Sequence, residues 1–119
     1  MTEAKTYSGG CHCGAVRYDV TMALGDVNAC NCSMCSKAGT LLTFVPASAF
    51  TLKSGASDLT DYRFHTHGIE HLFCRVCGIK SFARGKMPDG SPMVAVNARC
   101  LDGIDVESLS IKHVDGRSR

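Results

Sequence analysis

Cys30-Asn31-Cys32-Ser33-Met34-Cys35 puts three thiols into six consecutive residues, too close together to act independently. A disulfide uses two sulfurs with suitably placed Cβ atoms, so a third would be stranded or the short loop strained. One zinc ion suits all three, because thiolates bind it at about 2.3 Å in a tetrahedron whose sulfurs lie roughly 3.8 Å apart. Three ligands leave a fourth position to be filled. A structural zinc is closed by four protein ligands, whereas a catalytic one keeps a place for water or substrate. The hexapeptide is therefore either a reactive site or an incomplete structural one.

The next strong motif is Cys74-Arg75-Val76-Cys77-Gly78. In such a knuckle the two cysteines sit on a turn whose N–H groups point at sulfur, and the following glycine supplies a positive φ. This is half of a four-cysteine site, and Cys11 and Cys13 of Cys11-His12-Cys13-Gly14 are its expected partners. Such a zinc would pin the start of the chain to its middle and contribute folding energy in a small β protein without tryptophan. The plainer alternative is four free buried cysteines acting as small hydrophobes. Cys100 is the eighth cysteine. It has no ligand-like neighbour and reads as a core or loop residue, although it could complete the three-cysteine site.

Around these clusters the chain reads as short strands. Val16, Tyr18 and Val20 alternate with Arg17 and Asp19, the period-two pattern of a half-buried strand. Extended through Cys11 and Cys13, that strand would place both thiols on one side, about 6.6 Å apart before bending. Further strands are expected over 27–31, where Cys30 and Cys32 are delivered, with Cys35 on a tight turn, and over 40–45 and 50–53. The remaining ones are expected over 59–64, 69–74, 79–84, 93–97 and 109–114. No stretch sustains a helical period, so helices should be few and short. The expected fold class is mainly β, a small antiparallel meander held by zinc. No linker, repeat or low-complexity segment divides residues 1–119, so one zinc-binding domain is expected.

Composition narrows the function. The chain is 45% hydrophobic and 20% charged, ordinary for a globular protein. Its net charge is +2, with 13 basic residues scattered along the sequence, not the clustered cations of a nucleic-acid surface. No apolar run approaches the ~20 residues of a bilayer span. The polar N-terminus lacks a signal-peptide core, so a cytoplasmic protein is expected. In that reducing setting eight cysteines favour metal or catalytic thiols over disulfides.

Three thiolates make zinc a weak Lewis acid, better suited to holding a substrate thiol as thiolate than to generating hydroxide. Carbon–sulfur chemistry at an aldehyde carbon would fit. His65 and His67 could line a pocket or carry protons, although surface histidines are the plainer reading. His12 should point away from the metal, and His71 and His113 read as strand residues without partners. Lys37, Arg63, Arg84 and Arg99 are candidates for substrate carboxylates, against the plainer reading of solvated charges.

Gly10-Cys11-His12-Cys13-Gly14-Ala15-Val16, Cys30 to Cys35, and Phe73-Cys74-Arg75-Val76-Cys77-Gly78, in this order, resemble the glutathione-dependent formaldehyde-activating (GFA) family, which includes the CENP-V-type proteins. The resemblance runs from about Ser8 to Val114, with Ser36 and Lys37 standing where many members carry an arginine after the third cysteine. It implies a zinc-bound, mostly antiparallel β fold of the β-tent type. It also implies a structural zinc on Cys11, Cys13, Cys74 and Cys77 and a catalytic zinc on Cys30, Cys32 and Cys35, two per chain. The activity implied is addition of glutathione to formaldehyde, a carbon–sulfur lyase reaction. The rival expectations are a non-catalytic zinc-stabilised β module that binds a protein, and a thiol-redox protein.

Overall fold

The computed structural model describes residues 4–63 and 68–115. Ten strands and one short helix follow in order: β1 (Lys5–Gly10), β2 (Arg17–Met22), β3 (Asp26–Cys30), α1 (Ser33–Ala38), β4 (Leu42–Pro46), β5 (Phe50–Ser54), β6 (Leu59–Tyr62), β7 (Glu70–Cys74), β8 (Phe82–Lys86), β9 (Pro92–Asn97) and β10 (Ser110–Val114). The fold is mainly β, with α1 and a few single 3-10 turns as its only helices among the described residues.

The strands form two sheets, one ordered β1-β2-β5 and the other β10-β3-β4-β9-β8-β7-β6. Only β6 to β9 run as the expected meander. The departures are β4, which pairs with β9, β5, which crosses to pair with β2, and β10, which pairs in parallel with β3. The additional strand β1 ends in Ser8-Gly9-Gly10, which carries no hydrophobic alternation. Its glycines are there for closeness: a Cβ at Gly9 would sit 2.8 Å from the Cys100 carbonyl oxygen, and one at Gly10 only 2.1 Å from that of Val16.

Period-two alternation decides what each face of the larger sheet meets. Val94 and Val96 of β9, Phe82 of β8 and Leu72 of β7 turn inward against Val16, Tyr18, Val20 and Phe50 of the smaller sheet and the turn leading into it. Tyr18, Phe50 and Phe82 stack as a triad with ring centroids 4.8–5.7 Å apart, and the buried Tyr18 hydroxyl donates to the Ser81 carbonyl at 3.0 Å. The alternate residues emerge on the opposite face. There Leu42, Ala83 and Ala95 pack against Cys35, and the small alanines leave the sheet open on that side.

Candidate metal centres and cavity

Cys11 and Cys13 do not extend a strand. They lie in the turn of the β1–β2 hairpin, where the Cys11 amide donates to the Val16 carbonyl at 3.1 Å and Gly14 takes a φ of +83°. Gly14 has no neighbour that a Cβ would strike, so the positive φ is what favours glycine there. Cys74 closes β7 and Cys77 follows on a turn, in which Gly78 has a φ of +79° and its amide donates to the Cys74 carbonyl at 2.8 Å. The four sulfurs converge within 4.8 Å of one another. The Cys13 sulfur stands 3.6 Å from those of Cys11 and Cys74, close to the ~3.8 Å edge of a zinc–thiolate tetrahedron and far beyond the ~2.05 Å of a disulfide. All eight cysteines are free thiols.

The amides around this cluster point at sulfur. Val16 N donates to Cys11 Sγ at 3.3 Å and Val76 N to Cys74 Sγ at 3.4 Å, which favours thiolate. The amides of Cys13 and Ile79 pull the Cys77 thiol down to about 6. At Cys13 the Ala15 amide also lowers the pKa, but burial and the neighbouring thiols outweigh it and push it up to about 12. Sulfurs that compete for protons in this way suit a single dication.

The second cluster spans two elements. Cys30 ends β3, Cys32 caps α1 with its sulfur accepting from the Cys35 amide at 3.3 Å, and Cys35 lies buried in the first turn of α1. The expected tight turn is this helix, which ends at Gly39 with a φ of +70°. The three sulfurs lie within 4.8 Å of one another, and among the described residues no histidine, cysteine or carboxylate joins them. Cys100 does not complete this set. It is half-buried, its thiol raised to about 11 by burial and by the charges of Cys11 and Cys77, so it stands beside the four-thiol cluster instead. The donor sets of both clusters therefore suit a thiophilic ion such as zinc.

A cavity of about 1010 Å³ opens against the three-thiol cluster. One wall holds a pair that the sequence reading did not find. The Lys80 ammonium donates to His71 Nδ1 at 2.8 Å, with only 7% of Lys80 and 5% of His71 exposed. Burial, and then the lysine's charge, push His71 down to about 4, so its ring is neutral and accepts. Burial lowers the Lys80 pKa, while Cys35 and Cys32 pull it back up. The loop carrying Lys80 is fixed by Asn97, whose Nδ2 donates to the Lys80 carbonyl at 2.9 Å and whose Oδ1 accepts from the Leu41 amide at 3.3 Å. The available signal was that Lys80 falls in phase with Phe82 in a stretch read as a strand.

Other expectations fare unevenly. Lys37 does line the cavity. Arg84 touches its edge, but the guanidinium lies over Phe50 and Phe82 at 5.7 and 5.4 Å. Arg63 is paired with Asp61 and Glu70, and Arg99 Nε donates to the Gly39 carbonyl. His12 and His113 are exposed. His71 is not the partnerless strand residue expected. His65 and His67 lie outside the described residues, and among the described ones no helix is long and apolar enough to cross a membrane.

Fold and site together define a class: a small two-sheet β protein with two all-sulfur clusters able to hold metal. The chain belongs to the glutathione-dependent formaldehyde-activating enzyme family, whose model matches residues 6–112. It is also similar to a protein from Rhodobacter sphaeroides known from a crystal structure. The two are 31% identical, with a TM-score of 0.75, over 88% of this chain and 99% of that one.

Proposed function

We propose that the protein is a zinc-dependent enzyme of the carbon–sulfur lyase type, a single domain that makes or breaks the bond between a small thiol and an aldehyde carbon in the cytoplasm. The observation that carries this reading is the placement of Cys30, Cys32 and Cys35 together on the wall of the large cavity. Family membership supports glutathione as the thiol and formaldehyde as the simplest aldehyde. Cys11, Cys13, Cys74 and Cys77 would hold a structural zinc, and Cys30, Cys32 and Cys35 a second one. Bound there, the second ion would supply a thiolate at neutral pH without a separate base.

The chain's own groups do the rest. Amides of Cys32 and Cys35 hold the sulfurs of Cys30 and Cys32 in place at 3.5 and 3.3 Å. The Lys80 ammonium offsets the negative charge of three thiolates around a dication. Leu42, Ala83 and Ala95 pack against Cys35 and give the sulfurs an apolar floor. Incubating the zinc-loaded protein with pairs of thiols and aldehydes, and following adduct formation by NMR, tests the reading. Acceleration for at least one pair is expected, with loss of that acceleration in Cys32→Ser. No acceleration for any pair, with zinc bound, contradicts it.

A further inference from the structure

The cavity must admit a thiol together with the aldehyde, and its lining shows which part of it an apolar aldehyde body would occupy. Its volume of about 1010 Å³ lies at the upper end of the ~300–1,000 Å³ typical of sites that enclose drug-sized ligands. Its floor follows from strand register. His71 of β7 faces Ala83 of β8, Ala83 faces Ala95 of β9, and Ala95 faces Phe44 of β4. Directly opposed residues point to the same side of a sheet, so these four form one row across four strands. Two methyl groups lie in the middle of that row, between an imidazole and a phenyl ring. The result is a trough, and Leu42 and Met93 prolong its carbon surface. Phe44 is 47% exposed and Ile69 48%, and both line the same cavity, so its apolar surface continues out to the solvent.

One polar group breaks this surface. Among the described residues the Lys80 ammonium makes a single hydrogen bond, to His71, although an ammonium carries three donor protons. Lys80 is 7% exposed and lines the cavity, so its ammonium can donate to an acceptor there, and a hydrogen bond to a charged donor is among the stronger ones. An oxygen atom delivered by a ligand would be such an acceptor. The three-thiol cluster lines the same cavity.

Resting on the carbon–sulfur reading above, we propose that this cavity takes an aldehyde with an apolar body, aromatic or branched aliphatic. The body lies on Ala83 and Ala95, and the carbonyl oxygen accepts a hydrogen bond from Lys80 Nζ. In the addition the thiol gives its proton to solvent and its sulfur lone pair forms the new bond to the carbonyl carbon. The π pair of the carbonyl moves to oxygen, which takes a proton from Lys80, and solvent restores the ammonium. Thiol plus aldehyde yield a hemithioacetal, with nothing oxidised or reduced. Lys80 is thus a catalytic residue and His71 positions it.

The test compares phenylacetaldehyde with formaldehyde, using one thiol and zinc-loaded protein, and separately measures binding of phenylacetate and formate, unreactive anions whose carboxylate oxygen stands in for the carbonyl oxygen. The expected kcat/KM is at least tenfold higher for phenylacetaldehyde, and phenylacetate should bind at least tenfold more tightly than formate. Lys80→Met, with zinc content and thermal unfolding checked, should lower both kcat/KM and phenylacetate affinity by roughly ten- to a hundredfold, the range for one hydrogen bond to a charged group. Phe44→Ala, at an exposed position that threatens no core, should lower the preference for phenylacetaldehyde severalfold. Formaldehyde reacting as well as phenylacetaldehyde overturns the apolar-body proposal and leaves the carbon–sulfur reading standing. Unchanged kcat/KM and phenylacetate affinity in Lys80→Met overturn the role given to that residue. If no aldehyde reacts, the carbon–sulfur reading fails and the binding arm decides. Preferential phenylacetate binding that Lys80→Met abolishes then upholds the cavity as an apolar, oxygen-anchoring ligand site, whereas equal binding of the two probes overturns it.

Discussion

His71 shows what one buried contact does to acid stability. Burial and the Lys80 ammonium 2.8 Å away lower its pKa from the ordinary 6.5 to about 4, while the unfolded chain keeps the ordinary value. Between those limits the unfolded chain holds a proton that the folded one has released, so stability falls as the pH drops from 6.5 towards about 4. His71→Gln removes the titrating group. Its unfolding free energy should therefore fall less steeply than the wild type's over that window in denaturant titrations, and identical slopes would contradict this account. The cysteines were legible at this scale because short spacings between metal ligands survive as local signals. The Lys80–His71 pair was not, since nothing local announces that two residues nine apart will be buried together.

At the scale of elements, the β1–β2 hairpin depends on a residue without a side chain. A Cβ at Gly10 would fall 2.1 Å from the Val16 carbonyl oxygen and 3.1 Å from its carbon, both backbone atoms that cannot swing away. The neighbouring Cys11 amide closes the hairpin on that same carbonyl. Gly10→Ala should cost roughly 1–3 kcal/mol, the usual range for overpacking, and weaken metal retention by the four-thiol cluster. Gly25→Ala, whose Cβ meets nothing within 4 Å, serves as the comparison in a thermal unfolding experiment, and equal losses would show that the close approach is not what matters. β2, with its clean alternation, and β9, an apolar run after the Pro88-Asp89-Gly90 turn signal, were legible. β1 was hidden by its terminal glycines, and α1, with six residues, is too short to show a helical period. The pairing of β10 with β3 depends on contacts across most of the chain, which no local pattern encodes.

Across the whole molecule the two clusters sit in different mechanical places. The four-thiol cluster joins the hairpin turn of the smaller sheet to the end of β7 in the larger one, so an ion there clips the two sheets together. The three-thiol cluster joins only β3 and the adjacent α1, so it can be emptied without separating anything. The two clusters were legible in the sequence as cysteine counts of four and three. Which sheets the clip joins was not, because sheet membership emerges only from the folded topology. The most direct test of this division of labour is the zinc content per chain of the reduced protein and of its folded Cys32→Ser variant. The account predicts two ions in the first and one in the second. Two ions in both, or none in the wild type, would contradict it.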